Sequence, residues 1–103
     1  MSHTKITNMS YSDWMPFSNE NIGKAPAKAG VYFLGSEHET TYIGASNNIK
    51  ERLEEHRNST DACVKETLSF CYHETLFPEA EEEKQLTAFQ YEHGRLPKCN
   101  KSN

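Results

Sequence analysis

The chain lacks any apolar run long enough to span a membrane, and its first ten residues contain no apolar signal-peptide segment. It also lacks a surplus of positive charge, because 11 Lys and Arg against 15 Asp and Glu give a formal net charge of −4 at pH 7. Nucleic-acid binding that depends mainly on a basic surface is thereby excluded, since that mode needs many cationic contacts to phosphate. Local binding of DNA remains compatible with this composition. We expect a cytoplasmic (intracellular) protein without membrane association.

The chain contains few cysteines, and their spacing shows no pairing motif. The three cysteines are Cys63, Cys71 and Cys99, an odd number without a CxxC pair. This pattern argues against a disulfide framework and against a Cys-rich zinc site. We therefore expect three reduced thiols.

Large apolar side chains are also few. Leu, Ile, Val and Phe number 17 of 103 residues, and hydrophobic residues make up 35% of the chain, against about 45–50% in typical globular domains. This length accommodates one domain. We expect a single domain over residues 1–103, with a small core to whose stability a bound metal, nucleic acid or subunit contributes visibly.

The order of apolar and turn-forming residues predicts an N-terminal extension over residues 1–25 and a core over about residues 26–100. In the extension, the aromatic residues between Tyr11 and Phe17 predict a short helix or turn that packs on the core. Two β-branched and aromatic runs, Val31 to Leu34 and Thr40 to Gly44, predict an antiparallel hairpin over residues 30–45.

Helical spacing follows this hairpin. Ser46 is expected to cap a helix that ends near Asn58, with Ile49 and Leu53 on its buried face. Alternating polar and apolar residues over 67–72 predict a third strand. Pro78 near the start and Gly94 at the end predict a last helix over residues 78–93.

Several residues could carry chemistry, although each has an ordinary structural explanation when taken singly. Tyr32 and Tyr42 are common sheet aromatics. Arg52 and His56 are four residues apart and therefore share one side of the first helix, as solvated polar residues often do. The glutamates over 79–83 suit a helix N-terminus.

The order and spacing of these residues resemble the GIY-YIG nuclease family. Gly30-Val31-Tyr32 is followed by Tyr42-Ile43-Gly44. Arg52 comes eight residues after Gly44, and His56 comes four residues after Arg52. A helical glutamate and Pro97-x-x-Asn100 complete the order. The resemblance covers about residues 26–100. It implies an α/β (α+β) fold with a three-stranded antiparallel sheet flanked by helices, which the strand and helix predictions also favour.

The resemblance further implies a divalent-metal-dependent endonuclease (a phosphodiester hydrolase) with a DNA substrate, either structure-selective or weakly sequence-specific. In the family the helical glutamate lies three residues before a Leu. Glu83 fits this spacing with Leu86, so Glu83 would hold a single Mg²⁺ or Mn²⁺. Glu82 is the second candidate, because it lies one helical turn before Leu86. Ala45 departs from some repair nucleases of the family, which have basic residues nearby.

Each remaining site residue has an expected role. Arg52 would bind the non-bridging phosphate oxygens. Tyr32 would act as general base once Arg52, the metal or a neighbouring tyrosine has lowered its pKa, and Tyr42 would orient it or the attacking water. His56 would relay the proton or bind a phosphate. Asn100 would tie the C-terminal segment to the site through side-chain hydrogen bonds.

Two alternatives remain at this stage. The domain could keep the fold but serve as a catalytically weak or inactive module for nucleic-acid or protein interaction. It could instead be an unrelated small α/β domain, in which case Tyr32, Tyr42, Arg52 and Glu83 would be scattered in space. The sequence does not decide whether a protein partner or a homo-oligomer is involved.

Overall fold

A four-stranded antiparallel sheet forms the centre of the computed structural model, which describes residues 11–37 and 39–100. The strands are β1 (Met15–Pro16), β2 (Gly30–Ser36), β3 (Glu39–Ser46) and β4 (Ser69–Glu74), in the spatial order β1-β4-β2-β3. Four helices accompany the sheet in these residues: α1 (Asn19–Ile22), α2 (Ile49–Arg57), α3 (Ala62–Lys65) and α4 (Pro78–His93). The predicted α+β class and the hairpin between β2 and β3 are confirmed.

The prediction of three strands is wrong, because β1 adds a fourth. It consists of two residues that pair with β4, Met15 with Phe70 and Pro16 with Ser69. A strand this short shows no alternating pattern, and Pro16 is tolerated because β1 is an edge strand. The helix expected in the N-terminal extension is α1. Residues 1–10 of the extension lie outside the described residues.

The structure confirms the predicted ends of the last helix but not the predicted N-cap of α2. The last helix has the predicted bounds and ends at Gly94, which adopts the left-handed conformation with φ 75°. Ser46 is not the N-cap of α2 but the last residue of β3. The cap is Asn48, whose side-chain oxygen accepts a hydrogen bond from the Glu51 N–H at 3.0 Å. Ser46 instead uses its hydroxyl to hydrogen-bond the Asn48 backbone.

The two faces of the sheet are covered by different helices. Tyr32 and Leu34 belong to a buried core that includes Ile49 and Leu53 of α2 and residues of α1 and α3. Side chains alternate along a strand, so Phe33 points to the opposite face, where it lines a cavity with residues of α4. The sheet therefore separates α2 from α4.

A disulfide joins Cys63 in α3 to Cys99, with their Cα atoms 5.8 Å apart. The expectation of three reduced thiols is therefore wrong for this pair, whereas Cys71 is free and buried. The chain after α4 follows β3, where the Cys99 N–H donates to the Thr41 carbonyl at 2.8 Å. This path carries Cys99 to α3, and residues 36 positions apart give no local pattern that would predict it.

No helix within residues 11–37 and 39–100 is long and apolar enough to cross a membrane.

Candidate active site

Two phenol rings lie side by side on the α2 face of the sheet. In the β2–β3 register Tyr32 is paired with Gly44 and Leu34 with Tyr42, so the two tyrosines occupy diagonal positions on one face. Their ring centroids are 6.0 Å apart. Tyr32 is fully buried, at 0% exposure, and Tyr42 is half-buried. Only Tyr42 of the two phenols therefore has a surface open to solvent.

Gly44 makes room for this pair. A Cβ atom at position 44 would overlap the Tyr32 ring and hydroxyl and would lie 2.8 Å from the Tyr42 ring. Gly30 is similarly constrained, because a Cβ there would overlap the His73 carbonyl and the Ile49 side chain. The two glycines are therefore needed for the close approach of side chains and backbone around the phenols.

His56 completes an aromatic cluster with both tyrosines. Its Nε2 atom lies 2.8 Å from the Tyr32 hydroxyl oxygen, and its ring centroid is 5.4 Å from that of Tyr32 and 5.1 Å from that of Tyr42. Burial and the nearby positive charge of Arg52 lower the pKa of His56, although Glu55 and Asp61 oppose this shift. The imidazole is therefore neutral at pH 7.

The pKa of Tyr32 moves in the opposite direction from that expected from the sequence. Burial of the phenol, reinforced by Tyr42, raises the pKa of Tyr32, and Arg52 offsets only part of the rise. Tyr32 is therefore a neutral phenol, and its hydroxyl is hydrogen-bonded to Nε2 of the neutral His56. Of these two residues, His56 is the one that can accept a proton at neutral pH.

Arg52 brings a permanent positive charge to the edge of the cluster. Its side chain is 47% exposed, and Nη1 lies 3.3 Å from Oε1 of Glu55. Interaction with Tyr32 raises the pKa of the guanidinium, which is therefore charged at every accessible pH. Sequence reasoning missed Glu55, although its spacing of three residues from Arg52 on α2 predicts such an ion pair.

Asn100 is bound to the strand that carries Tyr42. Its Oδ1 accepts a hydrogen bond from the Ile43 N–H at 2.8 Å, and its Nδ2 donates to the Ile43 carbonyl at 2.9 Å. Ile43 lies between Tyr42 and Gly44 on β3, which is the outer strand of the sheet on this side. Asn100 thus holds the C-terminal segment against the strand next to the cluster.

Glu83 lies outside the cluster of Tyr32, Tyr42, Arg52 and His56. It is exposed, and its neighbours in a shallow surface depression all belong to α4. Because α4 covers the opposite face of the sheet from α2, the structure does not bring Glu83 into contact with the phenols.

Glu82 is placed differently on the same helix. It is half-buried and shares a side of α4 with Phe89 and His93, which line a cavity beside Ile43 of β3. Burial and the nearby Glu79 raise the pKa of Glu82. Glu82 is therefore less exposed than Glu83, whereas Glu92 is the α4 carboxylate that lines the cavity beside Ile43.

The residues fit a sparsely ligated metal ion. Among the described residues, no group of three or more His, Cys, Asp or Glu side chains could hold a metal ion. Mg²⁺ usually keeps several waters and takes only one or two protein carboxylates together with substrate phosphate. One carboxylate from α4 therefore suffices chemically; Glu83 is the candidate from the family spacing, and Glu82 is the candidate from its helical phase.

Comparison with known proteins gives a family and a fold. The family model of the GIY-YIG catalytic domain matches residues 28–91. A comparison with curated proteins gives no significant match.

Among solved structures, two similar ones are point mutants of the N-terminal GIY-YIG endonuclease domain of UvrC from Thermotoga maritima, each bound to its catalytic divalent cation. They are 20% and 21% identical to this chain, both with TM-scores of 0.61, and in each case the match covers 81% of this chain and 93% of the other. The same domain bound to magnesium is 22% identical, with a TM-score of 0.58 and coverage of 80% and 98%. These likenesses show the fold, and the family match over most of the chain shows that this protein belongs to the GIY-YIG family.

Proposed function

We propose that the protein is a metal-dependent endonuclease that hydrolyses DNA phosphodiester bonds, with structure-selective or weakly sequence-specific cleavage. The observation that carries this proposal is the convergence of Arg52, His56 and Tyr42 around the buried Tyr32 on one face of the sheet. Membership of the GIY-YIG family supports nuclease chemistry, and the similar UvrC domains contain a catalytic divalent cation.

Each exposed member of the cluster has a defined task in this reaction. The half-exposed guanidinium of Arg52 binds non-bridging phosphate oxygens, and its planar donor fork matches their geometry. His56 accepts the proton of the attacking water at Nδ1, in the tautomer whose Nε2–H donates to the Tyr32 oxygen, because the imidazole is neutral and is the strongest base of the cluster at pH 7. Tyr42 orients that water. Tyr32 acts as a positioning residue, since it is fully buried and its hydroxyl oxygen is hydrogen-bonded to Nε2 of His56.

Bond making and breaking follow from these positions. The water oxygen forms a bond to phosphorus, the bond from phosphorus to the leaving sugar oxygen breaks, and the leaving oxygen takes a proton from solvent. An α4 carboxylate would hold a Mg²⁺ or Mn²⁺ ion, which would supply positive charge to stabilise the leaving oxygen. We propose Glu83, the residue at the family spacing, as the ligand of this ion, with Glu82 as the competing ligand because it is the less exposed of the two.

The central experiment measures nicking of plasmid and branched DNA with Mg²⁺ or Mn²⁺. Arg52→Ala is expected to lower the rate about a hundredfold or more, as removal of a transition-state donor commonly does. Arg57→Ala is the matched control, because Arg57 lies on another side of α2, where its guanidinium packs over the Phe17 ring. Equal rates for the two variants would exclude the proposed site.

A separate experiment tests the metal ligand. Electron paramagnetic resonance measures the binding of Mn²⁺ to single variants in the presence of DNA. Loss of bound Mn²⁺ in Glu83→Gln with retention in Glu82→Gln supports the proposed ligand. The reverse result transfers the assignment to Glu82. Retention in both variants would remove α4 from the metal site.

A module that binds without cutting is the second candidate function. The separation of Glu83 from the cluster favours it, because an enzyme of this type needs a carboxylate-bound metal beside the phosphate. This candidate predicts DNA or protein binding without cleavage under every metal condition. Cleavage that is lost in the Arg52 variant would rule it out.

A further inference from the structure

The disulfide between Cys63 and Cys99 connects two segments that flank the active site. Both cysteines are half-buried, so a small thiol can reach this bond. The third cysteine, Cys71, is buried in β4 and remains a free thiol. The structure therefore contains one accessible disulfide and one protected thiol.

On the C-terminal side, the disulfide lies next to the bonds that hold Asn100 in place. The Cys99 N–H donates to the Thr41 carbonyl at 2.8 Å, and Asn100 follows directly with its two hydrogen bonds to Ile43. All of these bonds are on β3, the strand that carries Tyr42. A displacement of Cys99 therefore acts on the backbone beside the cluster.

On the other side, the disulfide is attached to α3, whose N-cap residue Asp61 interacts electrostatically with His56. The Asp61 carboxylate caps α3 by accepting hydrogen bonds from the N–H groups of Cys63 and Val64, at 2.8 and 3.2 Å. The same carboxylate lies near enough to His56 to stabilise its protonated form. The disulfide thus links the segment beside His56 to the segment beside Tyr42.

We propose that the Cys63–Cys99 disulfide is a redox site that controls the order of the active site. In the oxidised protein the disulfide holds the segment of residues 97–100 against β3. Reduction by a dithiol releases this segment: one reductant thiolate attacks a disulfide sulfur, the other cysteine leaves as a thiolate, and the second reductant thiol resolves the mixed disulfide. Two electrons and two protons pass to the protein, which gains two thiols, and the reductant becomes a disulfide.

Few other contacts replace the covalent bond when it is broken. The ion pair between Lys98 and Glu66 is exposed and long, at 3.9 Å, so it adds little to the order of the segment. The hydrogen bonds of Cys99 and Asn100 to β3 and the buried Pro97 remain, but they hold the segment without a covalent anchor. We therefore expect local opening at Ile43 in the reduced protein while the central strands stay paired.

Amide hydrogen exchange measured by NMR tests this directly in the full chain. The protein is prepared with oxidised glutathione or with dithiothreitol, and the number of free thiols is counted by alkylation under denaturing conditions. One alkylated cysteine is expected in the oxidised form and three in the reduced form. Protection of the Ile43 N–H is expected to fall by at least about tenfold on reduction, while the Phe33 N–H in the central strand β2 changes much less.

Two variants complete the test. The double variant Cys63→Ser with Cys99→Ser is expected to behave as the reduced protein under both conditions, and Cys71→Ala is expected to keep the redox response. Three alkylated cysteines in the oxidised sample, or unchanged Ile43 protection, would overturn the proposal.

The effect on cleavage rests on the proposed function, and we expect the nicking rate to fall on reduction. Exchange and thiol counts do not depend on cleavage, so a protein without nuclease activity still tests the redox site. An unchanged nicking rate in an active protein whose Ile43 protection has fallen would overturn the link to catalysis.

Discussion

Replacement of Asn100 by alanine tests how strongly the C-terminal segment is tied to β3, the strand that carries Tyr42. The substitution removes both hydrogen bonds to Ile43, at 2.8 and 2.9 Å, and leaves the Ile43 N–H and carbonyl without those partners. A typical hydrogen bond contributes about 1 kcal/mol, and each buried group left unpaired costs about 1–3 kcal/mol. Because Asn100 is only half-buried, water replaces part of the loss. We expect a destabilisation of roughly 2–4 kcal/mol.

Urea unfolding measures this change. With an m value of about 1.5 kcal/mol/M, the midpoint is expected to fall by roughly 1.3–2.7 M, while m itself stays constant. Asn58→Ala is the matched control, since Asn58 is exposed and its side chain makes one hydrogen bond, to the Glu54 carbonyl at 3.0 Å. We expect this control to lose about 1 kcal/mol or less. If Asn100→Ala costs no more than Asn58→Ala, the two bonds to Ile43 do not stabilise the fold and the argument fails.

Three further predictions concern the cluster itself. Gly44→Ala is expected to destabilise the protein by about 1–3 kcal/mol, because the added Cβ overlaps Tyr32. Gly23→Ala is the control, since its Cβ meets only ordinary contacts at 3.4 Å, and thermal melts should show almost no change in its stability. The folded pKa of His56 lies below its ordinary value of 6.5, so its contribution to stability is complete above pH 6.5 and is lost as the pH falls toward the folded pKa. His56→Gln should make the free energy of unfolding less dependent on pH over this range. An identical pH dependence in the variant would contradict the lowered pKa of His56. Tyr32→Phe removes the oxygen that accepts from Nε2–H of His56, a bond that is stronger when the imidazole is charged. The acid limb of the cleavage rate is therefore expected to move to lower pH, and an unmoved limb would exclude Tyr32 as its positioning residue.

Local periodicity explains why much of the fold could be predicted. The strands of the hairpin have β-branched and aromatic residues between glycines, and α4 has Pro78 at its start and Gly94 after its end, so short windows of sequence contain the relevant signals. The spacing of four residues between Arg52 and His56 likewise places them on one side of α2 whatever the tertiary structure. The prediction that Arg52 and His56 lie near Tyr32 and Tyr42 depended on the family resemblance.

The features that the sequence did not predict all depend on distant contacts. Strand β1 is two residues long and is defined only by its pairing with β4. The Cys63–Cys99 disulfide depends on the path of the chain after α4. The raised pKa of Tyr32 depends on burial beneath α2, which residue spacing does not reveal. The placement of Glu83 on the outer side of α4 depends on the rotation of that helix against the sheet, and one residue changes this rotation by about 100°.

The net charge of −4 is not spread evenly over the two faces of the sheet. Helix α4 contains five glutamates and a single lysine, and it covers the face of the sheet opposite the cluster. On the other face, Lys24, Lys28 and Lys50 take part in none of the ion pairs found among the described residues, and backbone hydrogen bonds hold residues 26–28 beside the start of α2. Charges of exposed side chains are screened over about 8 Å at physiological ionic strength, so the α4 carboxylates weaken phosphate binding at Arg52 much less than the net charge suggests. The sign of the local field on the α2 face therefore decides whether DNA can approach the cluster.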